Sequence, residues 1–509
     1  MKTGKMVLLA ALVLFLGAYS APAATIIVNP GDSIQAAISG APNGSTIKIK
    51  AGTYTEEITI ANQSGLKLIG AGAGKTIIDG IGRTGDVVTI NNSKKITLQQ
   101  CTIRSGGNNN VVINSSHRVK ILRNWILHAA NYGIAGTGTK LLIQGNGIAD
   151  SGQDGIYVRG YHTLIVKNII LRNGVNGITD YGTSDKIIKN IVGGNNTDGI
   201  AIGGGSVTTQ LNTVTDNGGF GIREAEAIGS AHQNVYMKNT VQRNVAGGIL
   251  VSAGAMVIKN TVTDNTGDGI DGAWSGNTLI SNIIKDNSGM GIYLVADGHY
   301  LKGNLVTGNG GRGIYIDASG TTGMSQVLKN KVLNNGSSGI MLDGCNLSIV
   351  SNNFCAGNST LFLAAGIYGG TGSMAVIYTK NKVNNNAAGM TMTGGGIFDY
   401  VARNVVANNP IFGIHANGGQ MMTFEKNVII GNGPAGGLLG FGSSLVSKNR
   451  ILNNTGNGID ASASSGSASL IERNIVKGNG DGASTFDLYD STSPTDDWWQ
   501  KNQYLTESL

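Results

Sequence analysis

A Gly-Ile pair returns about every 22 residues along this chain, and no other feature narrows its fold so far. It stands at Gly133-Ile134, Gly155-Ile156, Gly177-Ile178, Gly199-Ile200 and Gly221-Ile222. With small insertions it continues through Gly248-Ile249, Gly269-Ile270, Gly291-Ile292, Gly313-Ile314, Gly339-Ile340 and Gly366-Ile367, and weaker copies run to Gly458-Ile459. A column of Asn travels with it: Asn190, Asn212, Asn239, Asn260, Asn282, Asn304, Asn330, Asn352, Asn381, Asn404, Asn427, Asn449 and Asn474. A fixed period of this size means stacked repeats.

Within each repeat the apolar runs are short and rich in Ile and Val, as at Ile165-Val166, Ile169-Ile170, Ile187-Ile188 and Ile191-Val192. Turn residues bound them, so they read as strands. One such rung cannot bury its apolar side alone; it must stack on the next in parallel ladders ~4.8 Å apart. The recurring Asn suits this, because Asn tolerates a left-handed turn and stacked Asn side chains bond to one another. The chain therefore reads as all-β, a solenoid. Ile34, Ala37 and Ile38 lie at helical spacing after Asp32, a candidate cap, and predict a short helix closing the first rung.

This pattern, with the opening Asp32-Ser33-Ile34-Gln35-Ala36-Ala37-Ile38 and Gly52-Thr53-Tyr54-Thr55-Glu56-Glu57-Ile58, resembles the right-handed parallel β-helix superfamily of pectin lyase-like proteins, over roughly residues 25 to 500. The resemblance implies a right-handed parallel β-helix and raises the expectation of action on a polysaccharide. No single enzyme signature within it is complete. Asn196-Thr197-Asp198-Gly199 is similar to the first motif of polygalacturonases, but their later motifs are missing. Gln153-Asp154-Gly155 distantly resembles the nucleophile region of pectin methylesterases, again without the later Asp and Arg motifs, and the Asp-Pro-His-Asp run of mannuronan epimerases does not occur.

Residues 1–23 read as an export signal: Lys2 and Lys5, then apolar Met6 to Leu16, then Ala21-Pro22-Ala23 as a cleavage site. The β-helix is expected over 24–495, and Asp496-Asp497-Trp498-Trp499 opens a C-terminal cap or tail over 496–509, with the two Trp either covering the last rung or offering a sugar platform. The apolar core of the leader is too short for a membrane span, so a secreted, periplasmic or cell-surface chain is expected, read as a monomer. The formal charge of +7 fits an anionic glycan, and no Lys/Arg run suggests nucleic acid. Cys101, Cys345 and Cys355 make no framework. Cys345 and Cys355 are candidates for a pair, against the reading that all three are buried small residues. Gly70 to Thr76 fails the phosphate-loop spacing and reads as a turn.

Stacking turns spacing into geometry. The outward position after Gly-Ile reads Ala135, Tyr157, Thr179, Ala201, Arg223, then Leu250, Asp271, Tyr293, Tyr315, Met341 and Tyr368. The richest patch spans residues 154–232, with Asp154, Tyr157, Arg159, His162, Asp180, Tyr181, Asp198, Arg223, Glu224, Glu226 and His232. Asp180 and Glu224 fall at inward offsets, where a carboxylate needs a special partner or an outward turn. These parts suit a uronic acid polymer. β-Elimination needs a cation on the carboxylate (Arg159 or Arg223) and groups that move protons (Tyr181, Tyr157 or His162); a C5-epimerase uses the same parts. Hydrolysis would employ Asp154 and Asp198, two rungs or ~9.6 Å apart. Asp154, Asp180 and Asp198 also offer the oxygen ligands that Ca²⁺ takes. The leading expectation is a lyase or epimerase of an acidic polysaccharide. The alternative is a non-catalytic adhesin, glycan-binding module or scaffold, and a glycoside hydrolase is third. Tyr293, Tyr315 and Tyr368, with Asp317 and Asp343, are placed as a continuation of the sugar groove.

Overall fold

The structure, a computed structural model, describes residues 22–224, 233–318, 323–359, 364–393, 397–461, 468–480, 484–490 and 497–508. Most of the leader expected at residues 1–23, and Glu226 and His232, lie outside the described residues.

Each rung carries three short strands, and corresponding strands of successive rungs pair in parallel. In one rung they are Ile156–Val158, Leu164–Val166 and Ile169–Leu171. The first belongs to what we call sheet C, the second to sheet A, the third to sheet B. The chain then turns back into sheet C at Ile178–Asp180, one rung on. Register follows the sequence period: Ile156 pairs with Ile178, Ile178 with Ile200, and Ile200 with Ile222. Sheets A, C and B hold 21, 20 and 19 strands among the described residues. The Ile and Val columns point inward and form one core along the whole solenoid. Among the described residues no helix is long and apolar enough to cross a membrane.

The glycine of the Gly-Ile pair is there for close approach. A Cβ on Gly177 would lie 2.3 Å from Val192 Cγ1 and 2.6 Å from the carbonyl oxygen of Gly199. It would also lie 2.8 Å from Asn195 Nδ2, which shows what the glycine makes room for. Asn195 belongs to a second Asn ladder, at the B–C turn. There Asn173 Nδ2 donates to Asn195 Oδ1 at 2.9 Å, and Asn195 to Asn217 at 2.8 Å. The ladder expected from the sequence stands at the A–B turn, where Asn190 Nδ2 donates to Asn212 Oδ1 at 3.0 Å. Each Asn there also receives and gives a main-chain bond, so an otherwise orphaned turn is satisfied inside the core.

The structure corrects several expectations. The ladder passes through Asn353, not Asn352: Asn330 donates to Asn353 at 3.1 Å, and Asn353 to Asn381 at 3.0 Å. The left-handed residue is the one before the ladder Asn, at φ 56° in Lys167 and 58° in Asn352. The helix spans Ile34–Ser39, and its cap is Ser33 rather than Asp32. The Glu56 carboxylate accepts from the N–H of Ile34 and Gln35 at 2.8 and 3.1 Å, which suits an anion at a helix N-terminus. Of the two cysteine readings the structure bears out the buried one: all three cysteines are free and buried, and Cys345 and Cys355 do not pair. At the far end Trp498–Gln500 and Glu507–Ser508 add strands to sheets A and C. Trp499 packs against the core, and Trp498 stays 65% exposed.

Candidate functional site

Sheet C presents the outward row predicted from the sequence, and its first part gathers an aromatic cluster. Tyr157 lies between Tyr132 and Tyr181, with ring centroids 5.0 and 5.9 Å apart. The ring of Tyr181 lies across the next rung, where a Cβ on Gly203 would meet it at 2.3 Å. Arg159 is exposed and sets its guanidinium 5.3 Å from the centre of that ring. Cation and ring attract, which holds the charge at the surface with its edge free to bond an anion. Arg159 meets no carboxylate in any ion pair among the described residues.

The position before Gly-Ile proves to be a structural column. Asp154 Oδ1 accepts the N–H of Asn176 at 2.8 Å, Asn176 Oδ1 accepts that of Asp198 at 3.0 Å, and Asp198 Oδ1 that of Phe220 at 2.9 Å. Asp154 and Asp198 are 5% and 4% exposed, so neither carboxylate lies open to a sugar from both sides. Burial pushes the Asp154 carboxyl up, against the bonds from Asn176 and Thr179. Arg223 is engaged by Asp198, its Nε 2.5 Å from Oδ2.

The remaining candidates separate. His162 is exposed at the C–A turn with φ 58°, off the sheet C row. Asp180 and Glu224 do point inward, and both are specially partnered. Glu224 accepts from Tyr236 Oη at 2.9 Å, Asn234 Nδ2 at 2.8 Å and the N–H of Ser252 at 3.2 Å. Asp180 is fully buried, accepts the N–H of Gly182 and lies beside the carboxyl group of Asp185. The Asp154, Asp180 and Asp198 trio therefore does not assemble on one surface, and among the described residues no group of three His, Cys, Asp or Glu could hold a metal ion.

Farther along sheet C, Tyr293 and Tyr315 stack at 5.3 Å and 14°, and Arg312 lies 4.5 Å from the centre of the Tyr315 ring. Tyr315 Oη donates to Asp343 Oδ2 at 2.9 Å, and burial pushes the Asp343 carboxyl up. Beyond it, a cavity of ≈270 Å³ is lined by Tyr368, Thr393, Phe412, His415 and Leu439 among others. The sequence reading left Tyr132 out of the patch and passed over Arg312. Both stand in the before-Gly column, at the same offset as Asp154, and that offset was their signal.

The chain belongs to the family described as the right handed beta helix region, matched over residues 86–227, 138–277, 181–326, 253–409 and 397–503. Among curated proteins none matches it. Among solved structures it is similar to the A-module of a mannuronan C-5 epimerase from Azotobacter vinelandii, with 17% identity, 63% of this chain and 93% of that chain covered, and a TM-score of 0.48. It is similar to the catalytic unit of a GH87 α-1,3-glucanase from Streptomyces thermodiastaticus, with 17% identity, coverage of 69% and 66%, and a TM-score of 0.38. It is also similar to an alginate lyase from a Paenibacillus species, with 11% identity, coverage of 54% and 95%, and a TM-score of 0.30. At these identities the likeness is one of fold.

Proposed function

We propose that this chain is exported, binds an acidic polysaccharide across sheet C around Arg159, and modifies it as a lyase or C5-epimerase. The observation that carries the reading is the state of Arg159: exposed, held on Tyr181, and without a carboxylate partner among the described residues. A substrate uronate supplies that partner. Arg159 neutralises the carboxylate, which makes the neighbouring C–H acidic. Tyr181 and Tyr157 lie beside it as groups that move protons. In elimination the C–H proton leaves, a C=C bond forms, and the glycosidic oxygen departs with a proton; in epimerisation a proton returns from the other face.

The test is to incubate the purified mature protein with polygalacturonate and polymannuronate, and to follow the ultraviolet absorbance of unsaturated uronate and the C5 configuration. Arg159→Ala and Tyr181→Phe are expected to lower kcat/KM by about 10²-fold or more while circular dichroism stays unchanged. Retained turnover in both variants overturns the site. A second reading, non-catalytic glycan binding, is favoured by the main-chain bonds that occupy Asp154 and Asp198. It expects saturable binding with no new ends and no altered residues.

A further inference from the structure

The A–B turn recurs once per rung, and the residue before its ladder Asn is held in the left-handed region. From Gln100 to Lys501 this position occurs eighteen times, and twelve of its occupants are Lys or Arg. They include Arg123, Lys167, Lys189, Lys238, Lys259 and Lys329, at φ 53–57°, and six more stand between Lys380 and Lys501. All twelve are exposed. No Asp or Glu occupies the position. Lys426 and Lys448 bond Glu425, and Arg473 lies 3.7 Å from Glu472; the other nine make no ion pair among the described residues.

Turn geometry does not demand this. A left-handed backbone favours Gly, Asn and Asp, not Lys. The B–C turn supplies an internal control, because it too places a left-handed residue on every rung. There the occupants include Asp150, Arg172, Asp216, Arg243, Asp264 and Asp286, of both signs. Arg172 bonds Asp150 and Arg243 bonds Asp216 across neighbouring rungs. Like charges stacked ~4.8 Å apart repel, so a one-signed column weakens the fold unless something neutralises it. The column runs parallel to the solenoid axis on the corner away from sheet C. Near its start it borders a groove of ≈500 Å³ lined by Gln99, Leu122, Arg123, Gln144, Gly145 and Lys167, in which amides stand beside the cations.

We propose that this edge is a docking rail for a linear anionic polysaccharide laid along the solenoid axis. Sixteen steps from Arg123 to Lys501 give a rail of roughly 77 Å. Twelve cations over seventeen rungs face a polymer with one carboxylate per sugar, and the amides of Gln99 and Gln144 bond its hydroxyls. A membrane surface fits less well, because the neighbouring outward column of sheet B is not continuously apolar: Trp125, Ile169, Ile191 and Ile283 share it with Thr213, Thr240, Thr261, Lys331 and Lys382. The rail shares its substrate class with the reading above but none of its residues.

The experiment measures binding of the mature protein to polygalacturonate and polymannuronate at 50 and 200 mM salt. The variant R123Q/K167Q/K189Q/K238Q keeps the turn, since Gln100 already holds it at φ 61°. Its affinity is expected to fall about 30-fold or more, with a shallower salt dependence because fewer counterions are released. The control K75Q/K94Q/K95Q/K140Q removes the same charge elsewhere and is expected to lose less than about threefold. R159A is expected to lose uronate turnover, whereas the rail variant is expected to keep kcat at saturating polymer, so loss of uronate turnover and loss of the rail are separately visible. Equal loss in the control, no polymer binding at 50 mM salt, or a preference for phosphatidylglycerol vesicles over both polymers overturns the proposal.

Discussion

Asp180 has no exposed surface, and its carboxyl group faces that of Asp185. Each leaves Oδ2 without a donor, and one proton shared between the two satisfies both. Burial and the neighbouring Asp185 push Asp180 up to about 8. In the unfolded chain the same group titrates near ~3.9. Between these values the folded chain holds a proton that the unfolded chain has lost. Stability is therefore full below the unfolded value and falls as pH rises through about 8. Asp180→Asn keeps an acceptor for the Gly182 N–H and gives Asp185 a permanent donor. Thermal melts from pH 5 to pH 9 should show the wild type losing stability more steeply than the variant, which at pH 9 should be more stable by roughly 1–3 kcal/mol. Asp399, pushed up to about 7 by burial, titrates in the same window in both proteins, so the difference between them is the readout. Parallel melting curves would remove the shared proton. Strand alternation alone placed Asp180 and Glu224 inward. Their partners were not legible, because Asp185 and Tyr236 lie across turns whose side-chain directions the period does not set.

At the scale of the element, the rung is held by its two Asn ladders as much as by its apolar columns. Asn353 donates from Nδ2 to Asn381 and to the carbonyl of Val327, and its Oδ1 accepts from Asn330. Asn353→Ala leaves several buried groups unpaired and should cost about 2–4 kcal/mol, read from the urea midpoint. Asn352 is exposed in the left-handed turn, where Lys stands in neighbouring rungs; Asn352→Lys should change stability by less than about 0.5 kcal/mol. Equal costs would refute the ladder register. This pair also marks the limit of the sequence reading. The Gly-Ile period fixed fold, strand order and register, because each Ile column must stay inward. The Asn column was read one residue early where the adjacent Asn352-Asn353 made the count ambiguous. The second ladder went unseen although its signal was present, an Asn five residues after the first at Asn190/Asn195, Asn212/Asn217 and Asn239/Asn244. The candidate site was legible as a list of outward residues. Whether a side chain faced a substrate or bonded its own backbone was not, as Asp154 and Asp198 show.

At the scale of the whole molecule, the solenoid separates its charges by face. Sheet C carries the stacked tyrosines with mixed charge, the B–C edge carries both signs, and the A–B edge is basic. A repeat fold can do this because each column is written once per rung and each rung touches only its neighbours. The same one-dimensional logic governs stability. The first rung is covered by the helix Ile34–Ser39, pinned through Glu56. The last ends in the two-residue strand Glu507–Ser508 and the exposed Trp498. Opening should therefore start at the C-terminal end and proceed rung by rung, not as one event. Native-state hydrogen exchange is the measurement. Amides of Ile165, Ile187 and Val257, deep in sheet A, should share high protection, and protection should step down through Phe424, Val446 and Ile471 toward Trp499. Uniform protection from end to end would mean that the solenoid opens as a single cooperative unit, and that the nearest-neighbour account of its stability is wrong.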